Sequence, residues 1–139
     1  MDILVCNNFA CANLEEMREV YASVGWKKHS PKVIQQVFEA SNVIALVYVN
    51  GRIIGFGRAM TDGIFNAAIY DVVVHKHYQG QGIASKIMAY LLNQLRDVSC
   101  VHLISTTGNE EFYYKSGFKK LKTVMARYLN LDLRAEYLE

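Results

Sequence analysis

The sequence predicts a mixed α/β fold, with a mostly antiparallel central sheet, one parallel strand pair and helices on both faces. Three observations carry that expectation. Two β-rich runs, Val43–Val49 and Arg52–Met60, flank Asn50-Gly51, a pair that favours the left-handed backbone of a two-residue hairpin. A helix with one broad apolar stripe, Gly82–Leu95, lies between two further strand-like runs, and a helical crossover makes such strands parallel. Two shorter helical patterns precede the sheet and can cover its other face.

The elements follow in order. Residues 2–6 read as a first strand. In residues 13–23, Leu14, Met17, Val20 and Tyr21 share one helical face, Asn13 suits the N-cap, and Gly25 ends the helix. Ser30 and Pro31 open a second helix to about Ala40, with Val33, Val37 and Phe38 expected inward. After the hairpin, Thr61-Asp62-Gly63 is a second turn, and Asn66–His75 is a third strand of the antiparallel set. In the crossover helix, Ile83, Ile87, Met88, Leu91, Leu92 and Leu95 form the stripe. Val101–Ser105 is its parallel partner strand. Asn109–Ser116 is a short helix ended by Gly117, and Phe118–Leu131 reads as a returning strand broken near Thr123.

Composition narrows the function. The 139 residues suit one domain, 1–139, and 52% hydrophobic residues supply one sizeable core. A net charge of +2, from 15 basic and 13 acidic residues, argues against nucleic acid or an anionic membrane surface as partner. The longest apolar runs fall well short of the roughly 20 residues of a membrane span. The N-terminal residues lack a basic lead and do not read as a signal peptide. Cys6, Cys11 and Cys100 are odd in number and have no metal-ligand spacing, so they read as reduced thiols of a cytoplasmic protein.

The informative stretch is Asp71–Ser85, DVVVHKHYQGQGIAS. A buried strand runs into a loop with Gly80 and Gly82, and the loop opens directly into the striped helix. The first N–H groups of a helix have no intrahelical partner and favour negative charge. Glycines let that backbone approach a phosphate closely. A nucleotide-binding module fits less well. The kinase-type phosphate loop requires Gly-Lys-Ser/Thr, but Ile83-Ala84 follow Gly82. The dinucleotide fingerprint requires a third glycine where Ser85 stands, a turn straight after the strand, and an acidic residue near Ser105-Thr106-Thr107.

Gln79-Gly80-Gln81-Gly82-Ile83-Ala84 resembles the Gln/Arg-x-x-Gly-x-Gly/Ala signature of the GNAT superfamily of acetyl-CoA-dependent N-acetyltransferases. Phe112–Phe118, FYYKSGF, resembles the family's Phe-Tyr-x-Lys-x-Gly-Phe. The two motifs stand in the family's order, and the resemblance covers nearly the whole chain.

The resemblance implies a splayed parallel strand pair and an acetyl-CoA cosubstrate. It implies a pyrophosphate loop of Gln79, Gly80, Gln81, Gly82, Ile83, Ala84 and Ser85, working chiefly through backbone N–H groups. Val72, Val73 and Val74 lie on the strand that pairs with the pantetheine arm, and an N–H near Val72 or Val73 polarises the thioester carbonyl. Tyr113 matches the tyrosine that protonates the leaving thiolate, a transfer between groups with pKa values of about 8.5 and 10 in water. A core aromatic on the same helix is the other reading of Tyr113. Asn109 is a pantetheine contact or an N-cap.

The glutamate that many relatives use as a base is missing, since Ala67, Ala68, Ile69 and Tyr70 fill those positions. Asp71, the strand's only carboxylate, is the candidate base, with Tyr78 as a second polar group; a structural acceptor at a splayed strand is the alternative for Asp71. Trp26, Tyr21, Phe65, Tyr70 and Met125 are candidate walls of the acceptor pocket. His75 and His77 have no thiolate or carboxylate at ligand spacing, so no metal is expected.

The expected function is transfer of acetyl to a primary amine of a small molecule, with a homodimer common among relatives. Acetylation of a protein amine and a non-catalytic acyl-CoA sensor are the competing readings.

Overall fold

Asn50 and Gly51 make the turn their sequence predicts. Both have positive φ, 50° and 82°, in the computed structural model, which describes residues 2–139. That backbone matches the twist of the strands it joins, β2 (Val43–Val49) and β3 (Arg52–Thr61). β1 (Ile3–Cys6) pairs antiparallel with β2, and β4 (Asn66–Val74) pairs antiparallel with β3. β5 (Cys100–Leu103) joins β4 in parallel, so the sheet order is β1-β2-β3-β4-β5. The turn between β3 and β4 is held by Asp62, whose Oδ1 accepts from the backbone N–H groups of Ile64, Phe65 and Asn66 at 2.8, 2.7 and 3.2 Å.

Strand alternation divides the core in two. On one face, Ala45, Val47, Ala59, Ala67, Ile69 and Val74 pack against α3 (Ile83–Gln94), which contributes Ile83, Ile87, Met88 and Leu91. On the other, Ile44, Leu46, Ile53, Phe56 and Val73 meet α1 (Leu14–Ser23) and α2 (Pro31–Glu39). Each fully buried aliphatic or aromatic side chain contributes about 1.5–3 kcal/mol before entropy is charged against it. The fold class read from the sequence is the one observed.

The caps behave as their residues require. Asn13 Oδ1 accepts from the Glu16 N–H at 3.1 Å, and Ser30 Oγ accepts from the Val33 N–H at 3.3 Å. The inward face of α2 differs from expectation. Ile34 and Phe38, four residues apart on one face, are buried and Val37 packs partly buried beside them, while Val33 lies on the exposed side.

The predicted strand Phe118–Leu131 is absent. This segment has no regular structure up to α5 (Leu131–Tyr137), with a turn at Lys122-Thr123 near the anticipated break. Leu121, Val124, Met125 and Leu129 are exposed. Two local features oppose a strand. The apolar residues do not alternate strictly with polar ones, and Asn130 caps α5, its Oδ1 accepting from the Asp132 and Leu133 N–H groups at 2.8 and 3.2 Å. A short helix, α4 (Glu110–Lys115), lies between β5 and this segment.

Candidate active site

The parallel pairing of β4 with β5 runs from Asn66/Cys100 to Ile69/Leu103 and stops there. β4 continues to Val74 with only β3 beside it, so the two strands part at Tyr70. A β-bulge sits at the parting. Phe56 opposes Val73 and Arg58 opposes Tyr70, which leaves Gly57 facing both Asp71 and Val72. Asp71 takes a left-handed φ of 53°, a region that non-glycine residues rarely adopt outside Asn and Asp.

The backbone directions beyond the bulge follow from two bonds. The His75 N–H donates to Ile54 O at 2.7 Å, so the Val74 carbonyl, on the opposite side of that planar peptide, faces away from β3. Gln79 Nε2 donates to this carbonyl at 3.0 Å. By ladder alternation the N–H and carbonyl of Val73 face Phe56 on β3. The Val74 N–H and the Val72 carbonyl therefore face the opening, as does the Asp71 N–H, since Tyr70 is bonded toward β3. Of the two donors anticipated for the thioester carbonyl, Val73 is thus committed to the sheet by alternation. The Asp71 N–H, which the sequence could not single out, points to the gap.

The loop after β4 makes a 3₁₀ turn, Lys76–Tyr78, then Gln79 and the two glycines. Gly80 and Gly82 have φ of 78° and 79°, and a Cβ at either would meet nothing within 4 Å. Their role here is backbone conformation and an open approach. No side chain caps α3, so the N–H groups of Ile83, Ala84 and Ser85 have no capping partner. Ile83 anchors this terminus in the core, while Gln81 and Ser85 are exposed. The result is a helix N-terminus of a kind that suits an anion, next to the open edge of β4.

A cavity of about 950 Å³ adjoins β5 and is bounded by Ile69, Tyr70, Leu103, Tyr113, Phe118 and Met125 among others. Tyr113 is half-buried in it, edge-on to Phe112 and Phe118 at ring-centre distances of 5.0 and 6.2 Å. Burial raises its pKa above the ordinary 10, so the phenol holds its proton. Asn109 stands at the N-cap position of α4 but its side chain makes no capping bond; its Nδ2 donates to Thr106 Oγ1 at 2.5 Å.

The structure does not bring Tyr78 to Asp71. Tyr78 packs against the α3-side core, edge-on to His75. The carboxylate of Asp71 lies on the α1 face, where Oδ2 accepts from Tyr21 Oη and from Arg58 Nε, both at 2.9 Å. Arg58 is not among the candidates the sequence pattern singles out, although an arginine within the apolar run IIGFGRAM is itself a signal. Tyr21, an expected pocket wall, is fully buried, and its pKa is raised first by that burial and then by Asp71. Trp26 and His29 stack on Tyr21, so Trp26 belongs to the same aromatic group. Phe65 is exposed on the loop before β4, and Tyr70 lies under the Arg58 guanidinium at 5.1 Å. Among the described residues, no group of His, Cys, Asp or Glu is arranged to hold a metal ion.

A sheet that parts beside an uncapped, glycine-led helix N-terminus is the architecture of an acyl-group transferase. The chain belongs to the acetyltransferase (GNAT) family, whose model matches residues 11–118. It is 38% identical over 114 residues to the uncharacterized N-acetyltransferase ycf52 of Porphyra purpurea, covering 78% of this chain and 66% of that protein. It is 34% identical over 108 residues to the chloroplastic serotonin N-acetyltransferase 2 of Oryza sativa, covering 73% and 54%. The chain thus spans about half to two thirds of the length of these relatives. Among solved structures, a GNAT-family acetyltransferase of Streptococcus pneumoniae superposes with a TM-score of 0.76 at 27% identity, covering 94% and 98% of the two chains. Glucosamine-6-phosphate N-acetyltransferase of Arabidopsis thaliana superposes at 0.72 with 18% identity, covering 94% and 100%, a likeness of fold.

Proposed function

We propose that the protein transfers acetyl from acetyl-CoA to the primary amine of a small molecule, by direct attack in a ternary complex. The observation that carries this reading is the open edge of β4 leading into the uncapped N-terminus of α3. An edge of unpaired N–H and carbonyl groups suits the amide-rich pantetheine arm, and the Gly80–Ser85 backbone suits its pyrophosphate.

The amine nitrogen attacks the thioester carbonyl carbon. Charge then develops on the carbonyl oxygen, and the Asp71 N–H is the donor proposed to receive it. The C–N bond forms as the C–S bond breaks, and Tyr113 supplies the proton that the sulfur takes. The ammonium proton leaves to water or to Asp71 Oδ1, which has no hydrogen-bond partner among the described residues. Holding amine and thioester together supplies much of the rate, so a weak base suffices.

The rice relative's name supports an arylalkylamine acceptor, and the apolar and aromatic cavity beside Tyr113 suits one. The compartment is proposed to be a reducing one, cytoplasm or plastid. Three free thiols support it, and so do the chloroplastic names of the rice relative and of a 30% identical Arabidopsis relative. Among the described residues no helix is long and apolar enough to cross a membrane.

The test is mass-spectrometric detection of CoA and acetylated product with arylalkylamines, polyamines, amino sugars, amino acids and lysine peptides. Product from the arylalkylamines supports the reading. Product only from lysine peptides transfers it to a protein acceptor, and tight acetyl-CoA binding without product makes the chain a sensor.

A further inference from the structure

We propose that Arg58 and Tyr21 are positioning residues for acetyl transfer, pinning Asp71 at the bulge so that its backbone N–H stays in the β4–β5 opening. The inference rests on the acetyltransferase reading above. Its starting point is which way Asp71 faces. Unbroken alternation would put Asp71 on the same side as Ala67 and Ile69, against α3. The bulge turns it to the opposite face, and Val73 follows it into the α1 and α2 core. The left-handed φ of Asp71 is thus the pivot at which β4 changes face.

A left-handed aspartate persists only where its surroundings hold it. Here both holding bonds converge on one oxygen, Oδ2, from two different elements: Tyr21 on α1 and Arg58 on β3. The arginine is itself fixed from three sides. Nη1 donates to Ser41 Oγ at 3.1 Å, Nε is bonded to Asp71, and the guanidinium lies over the Tyr70 ring. Ser41 in turn donates to Val37 O at 2.7 Å, which ties the clamp to the end of α2. A planar fork meets these demands together, and a lysine ammonium cannot. Arg58 and Asp71 are both largely buried, with side-chain exposures of 14% and 13%. Glycine would adopt this φ without strain, but it would offer no carboxylate to clamp.

Consequently the clamp and the acylation site share a single residue. The side chain of Asp71 is held on the α1 face, while its N–H lies at the point where β5 departs. Loosening the first lets the second rotate out of line, and a displacement of about 1 Å in a reacting geometry lowers turnover on the order of 100-fold.

The experiment compares Arg58→Ala, Arg58→Lys and Tyr21→Phe with the wild type, well below each variant's Tm. It reads kcat, KM for acetyl-CoA and the hydrogen exchange of the Tyr70 and Val73 amides, which alternation bonds to β3 on either side of the bulge. Arg58→Ala is expected to lower kcat on the order of 100-fold with KM for acetyl-CoA little changed, and to speed exchange at those two amides alone. Added ethylguanidinium should restore part of kcat, and Arg58→Lys should fall between. Unchanged kcat and exchange, or a loss of kcat and KM together that guanidinium does not restore, overturns the proposal. If Arg58→Ala fails to fold, Tyr21→Phe decides by the same readings. A wild type that neither binds acetyl-CoA nor turns over sinks the acetyltransferase reading instead, and amide exchange in the free protein still decides the clamp.

Discussion

Gly57 and Ile87 leave no room between them for a methyl group: a Cβ on Gly57 would lie 2.8 Å from Ile87 Cγ2 and 3.0 Å from Leu91 Cδ1. Gly57 is also the residue opposite the bulge, so α3 rests on the strand where the sheet is already irregular. Gly57→Ala must push α3 outward or strain its side chains, which is expected to destabilise by about 1–3 kcal/mol. Thermal denaturation checks this. In the double variant Gly57→Ala/Ile87→Ala, the removed side chain makes room for the added one. The two costs should therefore sum to more than the measured loss. Strict additivity would mean that the two residues do not press on each other.

Gly82 presents the opposite case. A Cβ there meets nothing, yet φ is 79°, so a substitution is strained by its backbone rather than by contact. The strain in Gly82→Ala is on the order of 1–2 kcal/mol. Relief would rotate the peptide that starts α3 and turn the N–H groups of Ile83 and Ala84 away from a phosphate. Acetyl-CoA affinity, measured by titration calorimetry, should fall about tenfold or more, while the far-ultraviolet circular dichroism stays unchanged. Undiminished affinity would remove the pyrophosphate assignment.

What could be read in advance follows the range of the interactions. The hairpin, the caps of α1 and α2, and the glycine loop are local features written within a few residues of each other. The clamp is not local. Asp71 meets Tyr21 across 50 positions and Arg58 across 13, and a period of two applied to β4 turns Asp71 to the wrong face. Nothing in the letters DVVV reveals an inserted residue. The missing strand at Phe118–Leu131 failed for a related reason. Strand formation depends on a partner, and the apolar residues alone do not provide one.

His75 should make stability depend on pH on the acid side. Its pKa is lowered below 6.5, first by burial and then by the neighbouring His77, so the folded state prefers neutral His75. The unfolded chain therefore takes up a proton more readily. The stabilisation is complete above the unfolded pKa and is lost as pH falls through the lower, folded value. Tm should decline between pH 7 and pH 5, and His75→Asn should flatten that decline. An equal slope in both proteins would exclude His75 as its source.

Tyr113 should be readable from both ends of its chemistry. Without the hydroxyl, Tyr113→Phe still fills the space beside Phe112 and Phe118, so folding and acetyl-CoA affinity should change little. Loss of a general acid should lower kcat about 100-fold. The raised pKa adds a pH signature. A proton donor works only while protonated, so the wild-type rate should hold to pH values near 10 and fall beyond them. Stability follows the same sign. The folded pKa lies above the unfolded one, so the contribution is present below pH 10 and disappears as pH rises through the folded value. Rate–pH profiles of the wild type and Tyr113→Phe, taken with a low-pKa aromatic amine so that the acceptor does not titrate in the window, separate the two. If the alkaline fall persists in Tyr113→Phe, or if that variant keeps full turnover, the thiolate takes its proton from elsewhere and Tyr113 is packing alone.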